Sequence, residues 1–245
     1  MIYKFDNENH VHSLDGRALT GTSSVGNVLA KPALIQWAAN MACDYIDKNF
    51  PTLDELMKNP NALKELLAEA KYAHKKKKEK AAGEGTDMHA QLENWVKWKM
   101  GKCELEDYDP KIEPFINWAN ENVKEFIASE AHCFEQNLFV GGITDCVAEL
   151  TDGSIAIIDF KSSKEAYKTH AIQGAGYAIQ IDANGLFSED GEHNKKLERP
   201  IDVVIIVPFG ASKVEPVIFR DIETYKQAFR SAVVLYRLMF NHEDY

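Results

Sequence analysis

A chain of 245 residues, 45% of them apolar, is long enough to bury a sizeable core as one elaborated globular unit. It has no apolar stretch of membrane-spanning length, and its polar N-terminus lacks a signal-peptide core, so a cytoplasmic protein with no membrane contact is expected. The formal charge of −10 argues against a broad surface that coats a nucleic-acid duplex and favours a narrow channel.

In chain order, residues 1–20 read as a hairpin: Tyr3, Phe5 and Val11 alternate with polar residues, and Asp15-Gly16 marks a turn. Thr22, Ser23 and Ser24 read as the cap of a short helix from about Val25, and Ser23 and Ser24 become candidate phosphate contacts. Pro32 starts the next helix, which carries Trp37 and Tyr45, while Thr52 and Asn59-Pro60 start two more. The last of these runs into a lysine cluster, with Lys71, Lys75, Lys76, Lys77, Lys78 and Lys80 inside ten residues. Lys75 to Lys78 are candidate nucleic-acid contacts that guide phosphates towards the helix that follows.

That helix, over about 85–100, places His89 and Glu93 on one face. Asp109-Pro110 opens a helix expected to reach about 128, and strands follow near 131–140, 143–150 and 154–161. Gln173 and Tyr177 share one face of the next helix, in which Gly174 and Gly176 imply close packing. Residues 185–200 read as a mobile loop, 201–207 as a buried strand and 213–219 as its alternating neighbour. Asp221 caps a closing amphipathic helix to about 241. No internal repeat is visible. The four cysteines, at 43, 103, 133 and 146, show no paired spacing, so no zinc site is expected and the thiols read as reduced. A nucleotide-hydrolysing motor is excluded within this chain, which lacks a Gly-x-x-x-x-Gly-Lys loop.

The most informative stretch runs from Gly141-Gly142-Ile143-Thr144-Asp145 through a Thr151-Asp152-Gly153 turn to Asp159-Phe160-Lys161. With a three-residue loop closed by Leu150 and Ser154, Asp145 falls opposite Asp159, side chains roughly 5 Å apart. Lys161 lies on the same face as Asp159. Two carboxylates that close repel unless a cation sits between them, and all-oxygen ligands favour Mg²⁺ or Mn²⁺. The unbroken apolar run before Asp159 marks a buried central strand, where a charged pair is costly.

These residues resemble the PD-(D/E)XK nuclease superfamily, in its RecB-like exonuclease branch, and within it the group of mitochondrial genome-maintenance and phage-encoded exonucleases. Gly85-Thr86-Asp87-Met88-His89 with Leu92-Glu93 is similar to the branch's histidine motif, Glu130 stands where the branch carries a further acid, and Gln173-Gly174-Ala175-Gly176-Tyr177 matches its Gln-x-x-x-Tyr motif. Glu135 also precedes the Gly-x-x-Asp strand and competes with Glu130 for that position. The motifs occur in family order over residues 85–177.

The resemblance implies an α/β, restriction-endonuclease-like mixed central sheet flanked by helices, with an N-terminal hairpin and helical lobe over 1–128 and a nuclease core over 129–245. It implies a Mg²⁺- or Mn²⁺-dependent DNA exonuclease acting on DNA ends or single strands in replication, recombination or repair. Asp145, Asp159, the Phe160 carbonyl and His89 would hold the metal, with Glu93 a candidate to orient the His89 ring. Lys161 would activate the attacking water, Glu130 would assist a second metal or the water, and Gln173 and Tyr177 would hold the lysine and the strand. Some members carry an iron–sulfur cluster on late cysteines; with no cysteine after Cys146, no cluster is expected here. DNA is the expected partner, a recombination or single-strand-binding protein a candidate one, and a bacterial or phage-infected cell the expected setting. Two other readings share the motifs: an endonuclease or nuclease subunit of a larger recombination or defence complex, and a non-catalytic DNA-binding module.

Overall fold

Alternating apolar residues at the N-terminus do form a hairpin: β1 (Tyr3–Asp6) pairs antiparallel with β2 (Val11–Leu14), and β3 (Arg17–Ala18) extends it. The structure, a computed structural model, describes residues 1–29, 32–210 and 214–240. Within it, residues 30–86 form one compact unit, and residues 1–29 with 87–245 form another.

In the larger unit, β4 (Thr20–Gly21) leads directly into α1 (Thr22–Val25), a four-residue helix. The expected Ser/Thr cap is absent: Gly21 is the N-cap residue, and Thr22 lies inside the helix. The Thr22 hydroxyl instead donates to the Gly141 carbonyl at 3.0 Å and accepts from the buried Gln180 amide at 2.7 Å.

The smaller unit is helical. It comprises α2 (Pro32–Asn49), α3 (Leu53–Lys58), α4 (Ala62–Ala70) and the first turns of α5 (Ala73–Lys99). Thr52 caps α3 through a reciprocal box with Glu55. A turn at Lys71-Tyr72 separates α4 from the lysine-bearing start of α5.

Beyond α5, α6 spans Glu113–Asn122, and the chain enters β5 (Val123–Glu135) at once. The helix expected to reach 128 therefore stops six residues earlier, because tertiary pairing overrides local preference. β5 pairs with β6 (Val140–Leu150) along nearly its whole length, and two irregularities, at Val123/Glu125 and Phe126/Ala128, break the alternation that would have revealed it. The Leu150 amide bonds the Ser154 carbonyl at 2.8 Å, and Gly153 sits at φ +86°, a left-handed conformation that suits glycine. That loop returns the chain as β7 (Ile155–Lys161) in the expected register, Cys146 opposite Ile158.

After β7 comes α7 (Lys168–Asn184), then β8 (Leu186–Phe187) and β9 (His193–Lys195). The segment expected as a loop over 185–200 thus contributes two short strands, β8 beside β5 and β9 beside β8. Next, β10 (Val203–Pro208) runs parallel to β7, β11 (Val217–Phe219) closes that edge, and α8 (Ile222–Phe240) ends the described chain. Residues 211–213 and 241, where the last strand and helix were expected to start and stop, lie outside the described residues. The result is a mixed α/β sheet in the order β11-β10-β7-β6-β5-β8-β9, with β4 paired to β6. No described helix is long and apolar enough to cross a membrane.

Helices cover both faces of that sheet. On one, Leu92, Trp95 and Val96 of α5 and Phe115 of α6 pack against Cys146, Ile158, Phe160 and Ile205. On the other, Ala175, Tyr177 and Ile181 of α7 pack against Val147, Ile157, Val204 and Ile206. The paired glycines of α7 each admit a neighbour: a Cβ on Gly174 would stand 2.5 Å from Val204, and one on Gly176 2.5 Å from Phe229 of α8.

Candidate active site

The ladder between β6 and β7 ends at Cys146 and Ile158, one position short of Asp145 on β6 and of Asp159 on β7. Past that point the backbones no longer pair, and side chains take over. The Phe160 amide donates to Asp145 Oδ2 at 2.6 Å. A strand residue turns its N–H and C=O to the same side, so the Phe160 carbonyl faces Asp145 as well.

Asp159 is 1% exposed, and burial pushes its carboxyl up to about 6, against the pull of Lys161 and with the help of Asp145. The Lys161 ammonium donates to Oδ1 at 2.8 Å; it also lies 2.7 Å from Oδ2, which receives no aligned hydrogen bond. Burial opposes the lysine's charge, but Asp159 and Asp145 outweigh it and hold its pKa above the ordinary lysine value.

Glu130 enters from β5 between the registered pairs Ser129–Cys146 and Ala131–Thr144. Its backbone is left-handed at φ +52°, uncommon for a non-glycine residue inside a strand and of a kind that clusters at functional sites. Its Oε1 is buried without a donor, and burial, then Asp145 and Glu93, push the carboxyl up to about 7. The competing acid, Glu135, is spoken for: it accepts from the Asn137 side chain at 2.8 Å and the Leu138 amide at 2.5 Å, closing the β5–β6 turn.

From α5, His89 brings Nε2 to 3.5 Å from Asp145 Oδ2 and Nδ1 to 4.0 Å from Glu93 Oε2, with its ring edge-on to Phe160. Burial disfavours its charge, yet Asp145, Glu130 and Glu93 together raise its pKa above the ordinary histidine value. Glu93 Oε1 accepts from Lys97, one turn further on.

Ligand atoms of His89, Glu93 and Glu130 all lie within 4.8 Å of one another, so this half-buried group can hold a metal ion. Two facts fit a cation: a buried Glu130 oxygen without a donor, and a donor set of carboxylates with one imidazole. The sequence names Glu93 only as a partner for the His89 ring, whereas here it is a ligand candidate. The i, i+4, i+8 spacing of His89, Glu93 and Lys97 is the signal that carries it.

On the opposite face, Gln173 donates to the Tyr177 hydroxyl at 2.8 Å, so the ammonium of Lys161 is held by Asp159 and the amide of Gln173 by Tyr177. Tyr177 is buried, which together with Asp159 and Asp145 raises its pKa far above that of a free phenol. Gly142 makes its position possible: a Cβ there would stand 2.6 Å from the Tyr177 ring and 2.7 Å from the Thr22 hydroxyl. Ser23 is exposed and Ser24 half-buried on the same short α1. Lys75, Lys76 and Lys77 are exposed on the first turns of α5, in the smaller unit, with the Lys75 ammonium 5.2 Å above the Tyr72 ring. The side chain of Lys78 lies outside the described residues. The four cysteines are free thiols, Cys133 and Cys146 buried, Cys43 and Cys103 exposed. Neither a known protein-family model nor a curated protein matches the chain.

Proposed function

We propose that the chain is a metal-dependent DNA exonuclease that hydrolyses phosphodiester bonds, built on a restriction-endonuclease-like version of its mixed sheet. The observation that carries the reading is Asp159: a nearly sealed carboxylate after an apolar run, both oxygens against the Lys161 ammonium and Asp145 across the gap. A buried charge of that kind is costly unless it is used.

Asp145, Asp159, the Phe160 carbonyl, His89 and Glu130 are the residues that would hold Mg²⁺ or Mn²⁺. When bound, such a cation neutralises developing phosphate charge and makes water a usable nucleophile at neutral pH. Lys161, kept charged by its two acids, presents an ammonium beside the place where charge develops on the phosphate. The Asp145–Phe160 bond fixes the two strands at the reacting end. The Tyr177 ring packs against Gly142 of β6 while its hydroxyl accepts from Gln173. Lys75 to Lys77 supply exposed cations for phosphate contacts in a chain that is acidic overall.

The test is a digestion time course on end-labelled linear and circular DNA, single- and double-stranded, with Mg²⁺, Mn²⁺ or chelator. Linear DNA is expected to shorten from its ends, circles to survive and chelator to stop the reaction. Cleaved circles would make the protein an endonuclease. Intact substrates throughout, with DNA still bound, would make it a binding module.

A further inference from the structure

We propose that Lys97 is a built-in stand-in for a second metal ion, so that this site takes a single divalent cation. The inference rests on the metal-dependent reading above and concerns how many cations that reading needs.

Part of a cage for a second cation exists, and it shares His89 and Glu130 with the set named above. His89, Glu93 and Glu130 bring ligand atoms within 4.8 Å of one another, a span compatible with opposite donors around a cation whose bonds are about 2.0–2.6 Å long. Glu130 has a buried, donorless oxygen. What stands beside it is an ammonium. Lys97 hydrogen-bonds Glu93 Oε1, and its charge also reaches Glu130, whose ionised form it favours. Glu93 precedes Lys97 by four residues on one helix, the favourable order for such a pair, so this partner is in place before any cation arrives.

Charge repulsion points the same way. A second ion in the cage would have to strip Glu93 Oε1 from the ammonium and then sit beside a like charge, which disfavours it. Removing Lys97 lifts both obstacles and leaves the three cage residues untouched.

The experiment counts Mn²⁺, without nucleic acid, by calorimetry and by the electron paramagnetic resonance signal of the free ion. Counted sites are those lost in an Asp145→Ala/Glu130→Gln control. Wild type is expected to bind one Mn²⁺, Lys97→Met two, and Lys97→Arg one. Adding Glu93→Gln to Lys97→Met is expected to return the count to one. Lys97→Gln, with circular dichroism as the folding check, replaces the Met variant should that chain not fold. Two ions in wild type, or one in both neutral variants, overturns the proposal. No ion in any variant overturns the metal-dependent reading beneath it, an outcome distinct from either.

Discussion

The Lys161 ammonium lies 2.8 Å from Oδ1 and 2.7 Å from Oδ2 of Asp159, two residues earlier on the same strand. The pair closes on itself inside one strand, so each member decides the protonation state of the other. Lys161→Ala should therefore do two separable things. Turnover should fall by roughly 10²–10³, the loss of one well-placed donor to developing charge, while DNA affinity in Ca²⁺ changes far less. The metal-free protein should also lose about 3 kcal/mol, the low end for breaking a buried pair, because the lysine side chain keeps 21% exposure. Single-turnover rates in Mg²⁺, binding in Ca²⁺ and urea melts in chelator measure these effects. Equal losses of rate and affinity would make Lys161 a phosphate anchor instead.

Metal affinity should rise steeply from pH 5 to 7 and level off above. Glu130 and Asp159 have carboxyls pushed up to about 7 and about 6, so below those values a cation must displace protons to bind. Each displaced proton changes affinity up to about tenfold per pH unit. Mn²⁺ titrations at three pH values, in buffers of different ionisation enthalpy, report both the slope and the protons released. A flat profile would remove both carboxyls from the ligand set.

Gly142→Ala should damage activity more than its single methyl suggests. The added carbon meets the Tyr177 ring at 2.6 Å and Thr22 at 2.7 Å, both buried, so one of them must move. Overpacking of this kind costs about 1–3 kcal/mol. Thermal melts should show that loss, and Tyr177→Phe in the same background should not repair it, since the clash is with the ring and not the hydroxyl. An unchanged melting temperature would mean the sheet and α7 separate freely here.

Neutralising Lys75, Lys76 and Lys77 together should flatten the salt dependence of DNA binding and leave the chemical step on bound DNA unaltered. Each lost phosphate contact lowers the logarithmic slope by about 0.9 on duplex or about 0.7 on single strands. Binding measured across a salt series decides it; an unaltered slope would reduce the cluster to a solvated helix face.

Acid should loosen the N-terminal hairpin first. His12 is buried, its Nδ1 2.6 Å from the Tyr3 hydroxyl, and burial lowers its pKa from 6.5 to about 4, with His132 and His10 adding to the fall. The folded state thus favours neutral His12, so its contribution is intact above pH 6.5 and is lost as pH falls towards 4. The full effect is about 3 kcal/mol. Urea midpoints at pH 7 and 5 for wild type and His12→Gln test this, the variant being expected to show the shallower pH dependence. Parallel curves would place the titration elsewhere.

Much of the site was legible because its signals are local. Thr151-Asp152-Gly153 fixes a hairpin register, and the register alone sets Asp145 against Asp159. The i, i+4 pairs His89/Glu93 and Gln173/Tyr177 needed only a helix. What escaped were features set by distant partners. β5 begins at Val123 because β6 is there to receive it, and its irregularities hide the strand period. Glu130 adopts a left-handed backbone with no glycine to announce it. The strands β8 and β9 exist through an edge of the sheet that their own polar sequence does not disclose.

The parallel pairing of β7 with β10 has a consequence for how this protein assembles. The antiparallel neighbour of Asp159 lies just across a three-residue loop, a closure that takes microseconds. Its other neighbour, Ile206, is 47 residues downstream, beyond all of α7. On a ribosome, the two aspartates can meet while the wall that seals them from water is still unmade. The pairing that brings the acids together is local and the pairing that flanks them is distant, so the two are formed by contacts of very different sequence separation.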